Sequence, residues 1–578
     1  MNRALFLIGV VMWTAATWVT DAQQTPATTP TPAANAQADG IPVESELVRA
    51  RCGACHRVDD QMRMSRISFR RATPENWERT IKRMVSLNHA VLDVTEARDI
   101  LKYLADHHGI APSEARPAAF ESEHRMVEFT YGADKETADT CSSCHTIGRV
   151  MGERRTKEEW ELLVSMHRGY YPLVDNQPMN GGQGFRRTRA PQIEPGPNGQ
   201  PPDNRPPMER VIAHLTRTFP LQTAEWTSWS ASMQPVKLAG RWAVSGYQIG
   251  KGQIFGEVVI AADSAADNFS TQTHYTIART GETVSRTGKA IVYTGFQWRG
   301  RGAAPGEAAP WREVLGVDPD WRTMSGRWFT GAYDETGIDV RLTRLGSDPT
   351  VFGSSITALK VGSSREAVKI YGANLPAAVT PADIGLGQGV RVTRVVASRP
   401  DEITVDIDVA ANAAIGPRDL SVTGAVRPST LVVFDEIDAV KIVPQAGLAR
   451  VGGIVFPKQF QQFEAVGVSN GVDRKAGTAD DINLGRVDVK WSLEEYSATF
   501  ADDDVRYVGS VNADGLFTPN VDGPNPARDG NRNNVGDVWV VAELADQAGE
   551  RSRVIRGRAH LLVTVPIYIG WYESEGGR

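Results

Sequence analysis

The four cysteines of this 578-residue chain fall as two copies of one pattern, Cys52-Gly53-Ala54-Cys55-His56 and Cys141-Ser142-Ser143-Cys144-His145, with none left over. An exported chain would ordinarily spend four cysteines on two disulfides, but this spacing is the C-x-x-C-H pattern of covalent haem attachment. Two thiols one helical turn apart can each form a thioether to a haem vinyl group, while the adjacent histidine turns under the ring and ligates iron. A thioredoxin-like redox pair expects a βαβ context that neither segment shows, and a zinc site built from both pairs would leave both histidines without a reason. The motifs therefore predict two covalent haem c groups, held by Cys52 and Cys55 and by Cys141 and Cys144, with His56 and His145 on the irons.

The stretches after the motifs repeat. Thr73-Pro74-Glu75-Asn76-Trp77 through Met84 aligns without a gap on Thr156-Lys157-Glu158-Glu159-Trp160 through His167. Each begins with a threonine at an N-cap position followed by acidic residues, and carries Trp77, Ile81 and Met84, or Trp160, Leu163, Val164 and His167, at helical spacing. The last position of that face points toward the haem that the preceding motif holds. Iron accepts Met or His there, and Met gives the higher potential. One haem is accordingly expected as His56/Met84 and the other as His145/His167. For the first, His89, Met62 and Met64 remain rivals, and Met on an apolar face is commonly core filler. For the second, Met166 is the rival, and a satisfied core histidine the plainer alternative. Leu92 to His108 reads as a second helix closing the first lobe, and the diheme region as 41–220. Within it, Pro172 to Pro207 is a long Gly-, Pro-, Arg- and Asn-rich loop. Its Arg186, Arg187 and Arg189 could meet haem propionates or a partner, but are assigned no role.

At the N-terminus, Arg3, an apolar run from Ala4 to Trp13 and small residues up to Ala22 read as a signal peptide over 1–22, which places the mature chain in the periplasm. Thr14, Thr17, Thr20 and Asp21 interrupt the run too early for a membrane anchor. Residues 23–40, rich in Gln, Thr, Pro and Ala, read as a flexible linker. A formal net charge of -6 carries no basic excess, which speaks against a nucleic-acid partner.

From Leu238 the helical period gives way to short alternating strands. Gly240 to Tyr247, Ile254 to Ile260, Thr273 to Arg279, Ala290 to Phe296, Trp328 to Tyr333 and Gly337 to Arg344 read as an up-and-down β-barrel or meander over 221–346. Val368 to Tyr371, Val390 to Ala397, Ile403 to Val409 and Pro428 to Phe434 are spaced like an immunoglobulin-like β-sandwich over 347–435, and a second such sandwich is expected over 436–578. The fold class expected is thus multidomain: a mainly α diheme cytochrome c domain, then all-β domains. None of the β regions offers a nucleophile with a base, a phosphate loop or a metal cluster. Asp502-Asp503-Asp504 has calcium-binding residue types but reads first as an acidic surface loop.

Several blocks together resemble the alpha subunit of quinohemoprotein amine dehydrogenase. They are the two haem motifs, Thr73-Pro74-Glu75-Asn76-Trp77, Lys102-Tyr103-Leu104-Ala105-Asp106, Gly240-Arg241-Trp242, Ile370-Tyr371-Gly372-Ala373-Asn374-Leu375, Gly515-Leu516-Phe517-Thr518-Pro519, Asp522-Gly523-Pro524-Asn525-Pro526, Gly530 to Trp539, and Gly557 to Pro566. The resemblance implies a periplasmic heterotrimer in which this subunit carries two haems and three β domains, a second subunit is a β-propeller, and a small third subunit holds a cysteine tryptophylquinone. Amine oxidation would occur at that quinone, so no catalytic residue is expected on this chain. Electrons would pass through the haems to an external acceptor such as a cupredoxin or soluble cytochrome c. The loop 172–207 departs from the compact family pattern. The competing readings are a free-standing diheme carrier and a diheme peroxidase, the latter requiring an open sixth position on one iron.

Replacing Cys52 and Cys55 together by Ala should halve the haem that stays with the chain through denaturing gel filtration; a zinc or disulfide framework would show no denaturation-resistant haem in the parent.

Overall fold

The computed structural model describes residues 40–125, 131–142, 145–170, 205–307, 310–330, 336–496, 502–548 and 551–566. The expected signal peptide, nearly all of the linker, Cys144, residues 172–204 of the long loop, Tyr333 and the end of the last apolar run lie outside the described residues.

The two aligned segments fold alike. Thr73 caps the helix Pro74–Asn88 by accepting a hydrogen bond from the Asn76 amide at 3.4 Å, with proline pre-shaping the first turn. Thr156 accepts from the Glu159 amide at 3.2 Å at the start of Lys157–Tyr170. Both tryptophans are buried. Trp77 Nε1 donates to the His108 carbonyl (2.9 Å), and Trp160 Nε1 to the Phe219 carbonyl (3.3 Å). The same two carbonyls accept from the amides of Ala72 (2.9 Å) and Arg155 (3.2 Å), each one residue before its capping threonine. His108 and Phe219 follow the closing helices of their lobes, Val94–His107 and Pro207–Thr218. One folding unit is therefore used twice.

The lobes join through an antiparallel ladder of Arg70–Ala72 against Glu153–Arg155, with Arg71 opposite Arg154 at its centre. These two arginines are equivalent positions of the repeat, so a local two-fold relation passes between them. A three-residue ladder is marginal by itself. Here it is clamped by Glu114, whose carboxylate accepts from Arg71 at 2.8 and 3.1 Å and from Arg154 at 3.1 Å, all three side chains being buried. Glu153 takes Arg70 and Arg155, each at 2.6 Å. Each lobe's tryptophan also carries a guanidinium, though from non-equivalent ladder positions: the Arg70 guanidinium lies 4.5 Å from the Trp77 ring centroid and that of Arg155 5.6 Å from Trp160.

The next unit is a closed barrel of eight antiparallel strands in sequential order, running from Gly240–Gln248 to Thr336–Arg344, whose last strand pairs with its first. Its interior is filled by Trp242, Tyr275, Trp298, Met324 and Trp328. Two of its strands, Gln297–Ala303 and Trp311–Val317, were not expected from sequence. The first of them reads as polar and glycine-rich, yet its inward positions are Trp298, Gly300 and Gly302. A Cβ on Gly300 would lie 2.5 Å from Glu313 Oε2, so the filled lumen demands glycine where the pattern wanted an apolar side chain.

Beyond the barrel, two four-stranded sheets from Thr350–Ser354 to Ala425–Phe434 enclose one apolar core. The last unit builds a second core from one four-stranded and two three-stranded sheets between Ala439–Val443 and Arg551–Thr564. The barrel contacts all the other units. Thr294 donates to Asp106 (2.7 Å) and to the Ala105 carbonyl (2.8 Å) of the first lobe, Tyr371 of the sandwich packs on Phe255 at 5.5 Å, and the Gly250 amide donates to Glu464 at 2.8 Å. Among the described residues no helix is long and apolar enough to cross a membrane.

Burial pushes the Glu114 carboxyl upward, but the hydrogen bonds from Arg71 and the charges of Arg154 and Arg71 outweigh it and hold its pKa at about 2, against an ordinary 4.5. A depressed folded-state pKa contributes stability that is complete above the unfolded value and is lost as pH falls through the folded one. Glu114→Ala, which strands two buried guanidiniums, should lower stability by about 3–5 kcal/mol in urea unfolding at pH 7. The gap between the parent and Glu114→Gln should shrink as pH falls from about 4.5 to about 2.

Candidate haem centres

In the first lobe, Cys52 ends the helix Glu46–Cys52 and its carbonyl accepts from the amides of Cys55 (3.2 Å) and His56 (2.9 Å), the tight turn that sets the two thiols and the imidazole together. His56 Nδ1 is hydrogen-bonded to the Ser65 carbonyl at 2.9 Å. With Nδ1 as the donor, the lone pair sits on Nε2, the tautomer a metal-bound imidazole needs. Burial lowers the His56 pKa, partly opposed by that carbonyl and reinforced by Arg66, so the ring stays neutral.

Of the candidates for the sixth position, Met64 is wholly buried in the lobe core with Val43, Val48 and Trp77. His89 sits exposed in a left-handed conformation (φ 58°) just past the helix, and Met62 is exposed beside Arg49. Met84 is half-buried, on the face of Trp77 and Ile81 but outside the lobe core. The large apolar side chains left exposed in this lobe include Val58, Val85, Leu87 and Val91, which come from the loop after the motif and from the end of the Met84 helix with the loop that follows it.

In the second lobe, Cys141 ends the helix Lys135–Cys141. Its thiol is pushed up to about 12 by burial and by the Asp134 carboxylate, which makes it neither an activated nucleophile nor a ready thiolate ligand. Cys52, Cys55 and Cys141 are free of disulfides. His145 Nδ1 bonds the Thr146 carbonyl at 2.8 Å, and His167 Nδ1 bonds the Leu163 carbonyl one turn back in its helix at 2.8 Å. Both rings thus reserve Nε2. Burial and the nearby Arg149 hold the His145 pKa down to about 3, keeping it neutral. The two imidazoles lie with centroids 6.4 Å apart and planes at 51°. That spacing admits one metal ion at an imidazole bond of roughly 2 Å on each side. The donor set and its protonation fit a haem iron.

Four family models match the chain: the haem-binding model of quinohemoprotein amine dehydrogenase alpha subunit over residues 43–195, and that subunit's domains II over 235–345, III over 349–435 and IV over 440–574. The chain belongs to the quinohemoprotein amine dehydrogenase alpha subunit family. It is accordingly a haem-binding, electron-transfer subunit of an amine dehydrogenase, a multisubunit oxidoreductase. No curated protein matches. Among solved structures, two redesigned beta barrels, one of them bound to DFHBI, align at 18% identity and a TM-score of 0.17; they cover 19% and 18% of this chain and 92% and 94% of their own.

The backbone acceptors Ser65, Thr146 and Leu163, which fix the ring tautomers, had no signal in the sequence, because a carbonyl is present at every residue. Asp504, expected in a surface loop, is instead buried and clamped by Arg528, while Asp503 takes Arg528 at 2.9 Å and Arg532 at 2.8 Å. In the holo-protein of this quinohemoprotein amine dehydrogenase subunit, His167→Met should raise the midpoint potential of one haem and leave the other in place, whereas Met84→His should lower that other one; spectroelectrochemical titration separates the two.

Proposed function

We propose that this chain is the diheme subunit of a periplasmic primary-amine dehydrogenase. Its two covalent haem c groups carry electrons from a cysteine tryptophylquinone on a small partner subunit to an external acceptor such as a cupredoxin or soluble cytochrome c. One haem is held by Cys52 and Cys55 with His56 and Met84 as axial ligands. The other is held by Cys141 and Cys144 with His145 and His167. Bound there, the haems supply one-electron storage. The chain's part is to fix the imidazole tautomers through the carbonyls of Ser65, Thr146 and Leu163, which leaves Nε2 for iron, and to fix one lobe against the other through Glu114. The amine-oxidising site lies on another subunit. A β-propeller subunit completes a heterotrimer, and the sheet domains after the barrel are immunoglobulin-like. The observation that carries this reading is the close pair His145 and His167, standing in the second lobe where His56 and Met84 stand in the first, within the residues that the haem-binding family model matches.

Tagged chain recovered from its native host should bring down a propeller-sized subunit and a small band that stains for quinone redox cycling, beside its own haem-stained band. Adding a primary amine to that material should reduce the haem Soret band. A haem band alone, unresponsive to amine, would leave the free-standing carrier, and peroxide turnover by the isolated chain would favour the peroxidase.

A further inference from the structure

A buried bridge runs behind the second motif and leads back to the first lobe. The Thr146 carbonyl holds His145 Nδ1, and the Thr146 hydroxyl donates to Glu121. Glu121 is 4% exposed, and its other oxygen accepts from Arg79 Nη2 at 2.8 Å, with Arg149 Nε 3.6 Å away. Arg79 belongs to the helix that carries Met84. Its Nη1 is anchored on Asn76 Oδ1 at 2.8 Å, and Asn76 Nδ2 in turn donates to the Arg149 carbonyl at 2.8 Å. A Cβ on Gly148 would lie 2.6 Å from Glu121 Cβ, so glycine at 148 is what lets the carboxylate approach the motif this closely.

We propose that Glu121 is a positioning residue for the second haem: through Thr146 it fixes the peptide that orients His145, and it places a buried carboxylate behind that imidazole. The inference rests on the His145/His167 ligand reading given above. A carboxylate in a low-dielectric interior favours the more positive, oxidised iron and so lowers the potential. Burial raises the pKa of Glu121 itself, while Arg79 and Arg149 oppose that and keep it paired. The bridge also ties the Met84 helix to the His145 peptide, through Arg79, Glu121 and Thr146.

The test uses the full-length holo-protein, with haem counted per chain before spectroelectrochemical titration. Glu121→Gln keeps the shape and removes the charge. It should shift the oxidised-to-reduced ratio of the second haem toward reduced by about tenfold at a fixed solution potential, 59 mV for one electron, with a smaller shift at the first. Thr146→Val keeps the charge and removes the hydroxyl link, and should alter the electron-paramagnetic g-values of the bis-imidazole haem while moving its potential less. Two haems with both potentials of Glu121→Gln within twofold of the parent would overturn the inference alone. If Glu121→Gln does not fold, unchanged g-values in Thr146→Val would overturn it. A parent chain with only one haem would overturn the ligand reading, and the inference with it.

Discussion

Two buried guanidiniums face each other at the centre of the haem domain, and the arrangement of both lobes depends on the one carboxylate between them. Arg71 and Arg154 stand opposite in a ladder only three residues long, and without Glu114 their repulsion would be unscreened at the point where the lobes meet. Removing one partner of a buried ion group is costly because the remaining charges cannot reach water. The clamp is also asymmetric. Glu114 comes from the connection between the lobes, and its one carboxylate takes both members of the two-fold pair. Around it the charges alternate in sign, Glu153 lying between Arg70 and Arg155, and Glu159 forming an ion pair with Arg66 at 3.0 Å.

The same economy is visible at the sites. Each histidine spends Nδ1 on a nearby carbonyl, which fixes the tautomer and the ring direction without a dedicated side chain. The two lobes differ in how far their sites are buried. The first motif lies near the surface, with Cys55 exposed, while His145 is flanked by Arg149 and by the carboxylate of Glu121 beyond Thr146. A shared fold thus supplies two different electrostatic surroundings for the two motif histidines.

Much of this was legible in the residues. The gap-free alignment of Trp77 on Trp160 identifies the repeating unit, because capping threonines and buried tryptophans are local signals with fixed spacing. Most barrel strands were visible through their period of two. The first of the two that were missed shows why pattern reading fails there: Gly300 faces inward without a side chain because Trp298 and Glu313 already fill the lumen beside it, a constraint that exists only once the barrel has closed. Nor could the Arg71, Glu114 and Arg154 junction be read from spacing. Its members are separated by 43 and 40 positions, and nothing local distinguishes them from solvated charges.

The barrel's closure bears on how other chains can meet this one. A sheet with an open margin offers unpaired amide and carbonyl groups to any passing strand, whereas the last barrel strand here is paired with the first and every ladder is complete. Recognition along that wall is confined to side chains and loops, and strand addition is left to the open-edged sheets that follow it. The central scaffold, which touches every other unit, is therefore the part of the molecule least able to stick to its neighbours by backbone pairing.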